Sequence, residues 1–194
     1  MLSNINEIHE NRQGVQLTGS GVMREYDWSG NLVWEHKDPF QHHDARRLEN
    51  GGAVYLAGIY LSSEEQKAIQ GGIPGTETEP GIVGEVIREV DADGKVVWEW
   101  NFTELEDGQF PIYRNANRWS RAHTNTVQPL AGGKYLISCK VLNLVFILDR
   151  ETRQIVWHYQ DDAMGGQHDA QMLDNGNILL FANGAYSADL HHSQ

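Results

Sequence analysis

Apolar and polar positions alternate along this chain in short runs, and the same run recurs. Three segments align, "MREYDWSGNLVWEH" over 23–36, "IREVDADGKVVWEW" over 87–100 and "FILDRETRQIVWHY" over 146–159. Each reads as strand, turn, strand. The turn follows Asp27, Asp91 or Asp149, and Gly30 and Gly94 supply the positive φ that a tight hairpin needs. The third turn is one residue longer and has no glycine. Each second strand carries an apolar pair with a tryptophan, Val33-Trp34, Val97-Trp98 and Val156-Trp157. A Trp at one repeated register predicts a packing wedge between neighbouring units.

A second hairpin follows each tryptophan strand, in "HHDARRLENGGAVYL", "HTNTVQPLAGGKYLI" and "QHDAQMLDNGNILLF". Its turn is Gly51-Gly52, Gly132-Gly133 or Asn175-Gly176. Two hairpins per unit make a four-stranded antiparallel sheet. Repetition of that unit predicts an all-β chain, a β-propeller built of four-stranded antiparallel blades. About three blades are expected in one domain, over 15–83, 84–143 and 144–194. The tryptophans lie further apart than a blade requires, so insertions are expected at 61–83 and 102–122. The first carries a short helical turn at Ser62 to Ile69 before a Gly/Pro-rich loop. The second is rich in aromatics and arginine, the composition of a substrate-facing loop.

Charge narrows the partners. Twenty-seven acidic residues against 15 basic ones give a formal net charge of −12, and the basic residues are scattered. This argues against binding to a nucleic-acid backbone. No run is long and apolar enough for a membrane span, and the first residues lack the basic and apolar stretches of a signal peptide. The chain as written is expected in the cytoplasm. Cys139 is the only cysteine, which excludes an internal disulfide and a multi-Cys metal site. Its flanks, "YLISCKV", read as a strand, so it is expected as a small buried hydrophobe.

Leu48, Leu130 and Leu173 superpose when the second hairpins are aligned, which puts His43, Asn125 and His168 at one register, with His123 two residues before Asn125. Residues two apart share a strand face, so His123 and Asn125 are expected to point the same way. If this strand is innermost, all four side chains converge on the central channel. Asp44 and Asp169 then face away and serve structure. Arg46 and Arg47 read as a solvated strand end, while His9, His36, His158, His191 and His192 read as surface residues.

These strings resemble the arylsulfate sulfotransferases, the PAPS-independent bacterial aryl sulfotransferases, over about Met23 to Gln194. The resemblance is densest in "HHDARRLENG", "AHTNTVQPLAGGKYLISCKVLNLVFILDRETRQIVWHY" and "GGQHDAQMLDNGNILLFANG". It implies a six-bladed propeller, of which this chain holds about half. It also implies sulfuryl transfer from a phenolic sulfate ester to a phenol through a sulfohistidine. Carried over by motif, His168 is the nucleophile, His123 and Asn125 form the sulfate-binding and leaving-group side, and His43 is another ligand of the sulfate. Lys140 stands where the family has an arginine, and it lacks the bidentate guanidinium fork. Family members are usually exported, which implies a periplasmic location if the chain is part of a longer protein.

The residue types suit this chemistry. Sulfuryl transfer, like phosphoryl transfer, rests on positioning and on donors to the equatorial oxygens. Protonated imidazole, amide and ammonium groups are such donors, and a neutral imidazole serves as nucleophile. No metal or other cofactor is required. Two alternatives stand beside this reading. Three imidazoles also suit a zinc hydrolase, and a propeller also serves as a non-catalytic binding module. Three blades leave open sheet edges, so self-association that completes the ring is expected.

Overall fold

The computed structural model describes residues 2–4, 21–79, 81–106 and 108–185. The described residues are all-β apart from one short helix and single helical turns. Its elements are β1 (Leu2–Asn4), β2 (Val22–Tyr26), β3 (Leu32–Lys37), β4 (Gln41–Arg47), β5 (Ala53–Tyr60), α1 (Ser63–Ala68), β6 (Gly71–Ile73), β7 (Val83–Val90) and β8 (Val96–Asn101). There follow β9 (Ile112–Asn117), β10 (Thr124–Leu130), β11 (Lys134–Cys139), β12 (Leu144–Asp149), β13 (Ile155–Gln160), β14 (His168–Met172) and β15 (Ile178–Phe181).

The main strands form antiparallel meanders ordered β1-β2-β3, β4-β5-β7-β8, β10-β11-β12-β13 and β14-β15. Two of these sheets have four strands, as the repeat predicts. The phase of the repeat differs. Sheets run from Gln41 to Asn101 and from Thr124 to Gln160, so breaks at 83/84 and 143/144 would cut β7 and separate the paired β11 and β12. A repeat in sequence fixes its period but not which strand begins a sheet. Residues 15–20 and 186–194 of the expected blades, including His191 and His192, lie outside the described residues, as does His9.

The turns form as their residues dictate. The Asp27 carboxylate accepts the N–H groups of Ser29 and Asn31, and Asp91 repeats the pattern with Asp93 and Lys95. Such Asx turns mimic a backbone turn. In the third copy Asp149 accepts from Glu151 and Thr152, and Arg153 stands in the left-handed region at φ 61° where Gly30 and Gly94 stand in the others. The missing glycine is therefore replaced by a residue held from outside the turn. Arg153 bonds Glu104 and donates to the Glu99 carbonyl at 2.8 Å.

Three apolar layers separate the successive sheets. Met23 and Trp34 pack with Ala45, Tyr55 and Val86 of the first four-stranded sheet. Val54, Ile87, Trp100 and Phe102 pack with Val127, Ile137, Leu144 and Phe146 of the next. Leu136 and Val145 then meet Ala170, Met172 and Ile178 of the last hairpin. The tryptophan wedges have the expected place where a neighbour follows. Trp98 lies 5.8 Å from Tyr135, with Arg150 and Arg153 over its ring at 5.6 Å, all three on the following sheet or its turn. Trp157 is 41% exposed.

The two insertions are not independent loops. The first begins with α1, capped by Ser62 and Glu65 in a reciprocal capping box, which matches the expected turn. Its β6 then pairs in parallel with β9 of the second insertion, Gly71 opposite Ile112 and Ile73 opposite Asn117. The Arg118 guanidinium clips the pair by donating to the Ile69 and Gly71 carbonyls. Cys139 is fully buried in β11, as expected, and burial raises its thiol pKa.

The core between the four-stranded sheets carries a direct test. Phe146 is fully buried between Trp100 and Phe102, so Phe146→Ala lowers unfolding stability by about 3–5 kcal/mol. Trp28 is 97% exposed, and Trp28→Ala changes it by less than about 0.5 kcal/mol. Denaturant unfolding of the two variants measures the contrast.

Candidate functional site

The first strands of successive sheets, β4, β10 and β14, lie side by side. They do not share a ladder, so their outward backbone groups need other partners. Side chains provide them. The Asp44 carboxylate accepts the Val127 N–H at 3.1 Å, Asn125 donates to the Gln167 carbonyl at 2.9 Å, and the Gln128 amide oxygen accepts the Met172 N–H at 2.6 Å. The structural role expected of Asp44 is thus visible. Asp169 meets the Gln171 amide at 3.0 Å.

Each of these strands is bulged where the candidate residues stand. Pairing skips from His42 to Ala45 in β4, from Thr124 to Thr126 in β10, and from His168 to Gln171 in β14. His43, His123 and Asp169 are left-handed, at φ 51°, 48° and 53°. A non-glycine residue there costs roughly 1–3 kcal/mol, a strain that the surrounding bonds must offset. Bulges at strand ends re-aim side chains, and here they gather imidazoles.

The His43 and His123 rings meet edge-on with centroids 4.9 Å apart. His42 is turned to the same place, and its Nδ1 lies 2.9 Å from Nδ1 of His43. That contact holds one proton, donated by one ring to the lone pair of the other, so the two tautomers are linked. Trp119 closes the other side of His123 with centroids 4.9 Å apart. His168 sets its Nδ1 3.1 Å from the Gly166 carbonyl. The Asn183 amide turns its NH₂ toward Nδ1 of His168 and the Gly166 carbonyl, both at 3.1 Å, and toward the Phe181 carbonyl at 3.3 Å. When Nδ1–H donates to Gly166 the Nε2 lone pair of His168 is available, and when Nδ1 accepts from the Asn183 amide the proton sits on Nε2.

Electrostatics tie the cluster together. Burial first, and then proximity to His43, Lys140, His42 and His168, holds the His123 ring down to about 2. Burial and His42 bring His43 to about 4, with Glu85 acting in the opposite sense and His168 and Lys140 adding to the lowering. Burial alone suffices to bring His42 to about 4. The rings are therefore neutral at neutral pH. Among the described residues no ion pair engages the Lys140 ammonium, which leaves it as the cation of the cluster.

The structure thus brings His43, His123, His168 and Lys140 into one electrostatic neighbourhood, and places Asn125 beside them in another part. Both ends of the Asn125 amide are engaged within the protein, its oxygen accepting from the Thr126 hydroxyl at 3.0 Å. It braces the residue before His168. Expectation of a regular strand also missed His42, which ought to face away from His43; the left-handed His43 reverses that parity. Glu85, Trp119 and Asn183 were not foreseen either. Arg46 and Arg47 lie outside the cluster, Arg46 on Asp44 and Arg47 on Glu25 and over the Trp34 ring at 4.3 Å. His36 is half-buried against Tyr55, with Nε2 3.3 Å from its hydroxyl, and is no plain surface residue. His158 is exposed. Among the described residues no group of three or more His, Cys, Asp or Glu side chains is arranged to hold a metal ion, and no helix is long and apolar enough to cross a membrane.

Stacked antiparallel sheets with histidines at the bulged starts of neighbouring strands define an all-β protein with a polar site between its sheets. The sequence profile of the Arylsulfotransferase (ASST) family matches residues 8–193, and the chain belongs to that family. No curated protein matches it. Among solved structures it is similar to a protein of unknown function from Bacteroides caccae, at 16% identity and a TM-score of 0.48, over 87% of this chain and 48% of that one. The chain therefore spans about half the length of that structure.

The depressed histidines make stability pH-dependent. His42 and His43 titrate at about 4 in the folded protein against an ordinary 6.5, so the unfolded chain binds protons that the native state refuses. Their contribution is complete above pH 6.5 and is lost as pH falls toward 4. The urea midpoint is expected to fall between about pH 7 and about pH 4.5, and to fall less in His43→Asn. An equal fall in both proteins would mean that His43 titrates as in water.

Proposed function

We propose that the sheets are consecutive blades of a β-propeller and that the site transfers a sulfuryl group from a phenolic sulfate ester to a phenol. Family membership supports the reaction class. The observation that carries the assignment to this site is the electrostatic convergence of His43, His123, His168 and Lys140 at the starts of neighbouring first strands.

His168 is the nucleophile in this reading, acting through the tautomer in which Nδ1–H donates to Gly166 and Nε2 keeps its lone pair. Nε2 forms a bond to sulfur as the bond from sulfur to the aryl oxygen breaks, and the phenolate leaves. The sulfohistidine then passes its SO₃ to an acceptor phenol, whose proton is lost as the new sulfate ester forms. Lys140 and the N–H groups of His43 and His123 stabilise charge on the sulfuryl oxygens. Asn125 acts from behind, by fixing Gln167 and so His168. Burial favours neutral rings, whereas an anionic sulfate ester between them favours imidazolium and helps protonate the departing phenolate. No cofactor enters this scheme.

Donor alone then yields a stoichiometric burst of phenol and a label of about 80 Da, the mass of SO₃ in a covalent adduct, on His168. His168→Ala abolishes both. A label on His43 or His123 in peptide mapping would transfer the role to that ring. Turnover without any label would mean direct transfer, and phenol release indifferent to acceptor would mean hydrolysis. Metal analysis of the same sample tests the zinc alternative, and full folding without release supports a binding module.

Lys140→Arg gives the sulfuryl oxygens a planar two-donor fork, a gain of at most about 1.5–3 kcal/mol. Higher turnover is expected, and unchanged kinetics in an active enzyme would take Lys140 out of the site. We also propose self-association of two copies into one ring. Trp157, Tyr159, Leu179 and Phe181 on the last two sheets are each 41% exposed or more, and a second copy would cover them. Light scattering that gives a stable monomer counts against it.

A further inference from the structure

Glu85 stands on β7, the third strand of one four-stranded sheet, yet its carboxylate serves the start of the next. It is only 3% exposed. One oxygen accepts the His123 N–H at 2.7 Å and the Ser120 hydroxyl. The other accepts the Thr124 N–H at 2.7 Å and the Thr124 hydroxyl. A buried carboxylate is costly unless its lone pairs are filled. Here four donors fill them, all from residues 120–124.

That segment carries His123 in its left-handed conformation. The His123 N–H is also 2.9 Å from the Ser120 hydroxyl oxygen, and its carbonyl accepts from the Lys140 N–H at 3.1 Å. The backbone of His123 is therefore held at both its donor and its acceptor. Of the four bonds that this carboxylate accepts across the two sheets, one is from the His123 backbone and the other three fix Ser120 and Thr124 on its two sides.

Resting on the sulfuryl-transfer reading, we propose that Glu85 is a positioning residue of the site, which holds His123 in the left-handed conformation that sets its ring edge-on to His43. Its charge adds a second effect. Glu85 raises the proton affinity of His43, against burial and against His42, His168 and Lys140, the other groups that act on that ring. Glu85 touches neither the reacting sulfur nor the leaving oxygen in this assignment and acts only through the two histidines.

Glu85→Gln keeps the shape but turns an NH₂ group toward donors. With the fold retained in circular dichroism, it is expected to lower kcat roughly tenfold or more, with a smaller change in the KM for 4-nitrophenyl sulfate. By NMR the His43–His123 ring contacts weaken and the His43 titration moves to lower pH. Glu85→Asp, which keeps the charge, restores the His43 titration toward wild type. Unchanged ring contacts and an unchanged His43 titration in Glu85→Gln overturn the proposal. Should Glu85→Gln not fold, the double variant Ser120→Ala, Thr124→Val removes two donors and leaves the carboxylate. Weakened ring contacts there support the proposal, and intact contacts overturn it. The NMR readout needs no turnover, so a wild-type protein without sulfotransferase activity refutes the reaction assignment separately from the role of Glu85.

Discussion

A stacked series of antiparallel sheets leaves one edge of every first strand without a ladder partner, and that edge is the constraint on which this architecture turns. Peptide groups there must be satisfied inside the protein. Asp44, Asn125 and Gln128 do so, each reaching from one first strand to the backbone of the next. Because the bonds run through side chains, the strands keep their bulges and need not match register. The freedom of the bulges is what lets His43 and His123 take left-handed backbone and bring their rings to 4.9 Å. A continuous ladder across the three strands would have enforced alternation and separated them.

The electrostatic character of the cluster follows from the same burial. Several imidazoles close together repel one another when charged, so desolvation and mutual repulsion act in one direction and keep the rings neutral. Neutral rings retain N–H donors and lone pairs. A site of this kind offers hydrogen bonds and one ammonium, from Lys140, and gains positive charge only when an anion compensates it. Acidic groups are kept behind the histidines, with Glu85 consumed by backbone and hydroxyl donors.

Much of this was legible from residue order. The Asp-anchored turns, the tryptophan wedges, the four-stranded sheets and the helical turn at Ser62 are local patterns, and local chemistry decides them. The phase of the repeat was not legible, since a period has no beginning. His43 and His168 share a register legible in the repeat, with His123 two residues before it in its own strand, but His42 was missed and Asn125 misplaced because strand parity fails at a bulge, and bulges leave no clear signature in one sequence. Glu85 was hidden for a different reason. It lies 38 residues from His123, in a strand that holds no candidate residue, and only the packing of two sheets reveals what it bonds.

The parallel pairing of β6 with β9 joins two segments that the sequence presents as separate insertions. Val83 bonds Trp119 and Arg121 where that pair ends, and Trp119 rests on His123. The two loops are thus a single mechanical part with one end at the histidines. Transplanting either loop alone from a relative would strand the other half of the pairing, so exchange of these segments between relatives has to move both as one cassette, with Gly71 and Gly72 kept where Ile112 and Arg118 crowd the backbone.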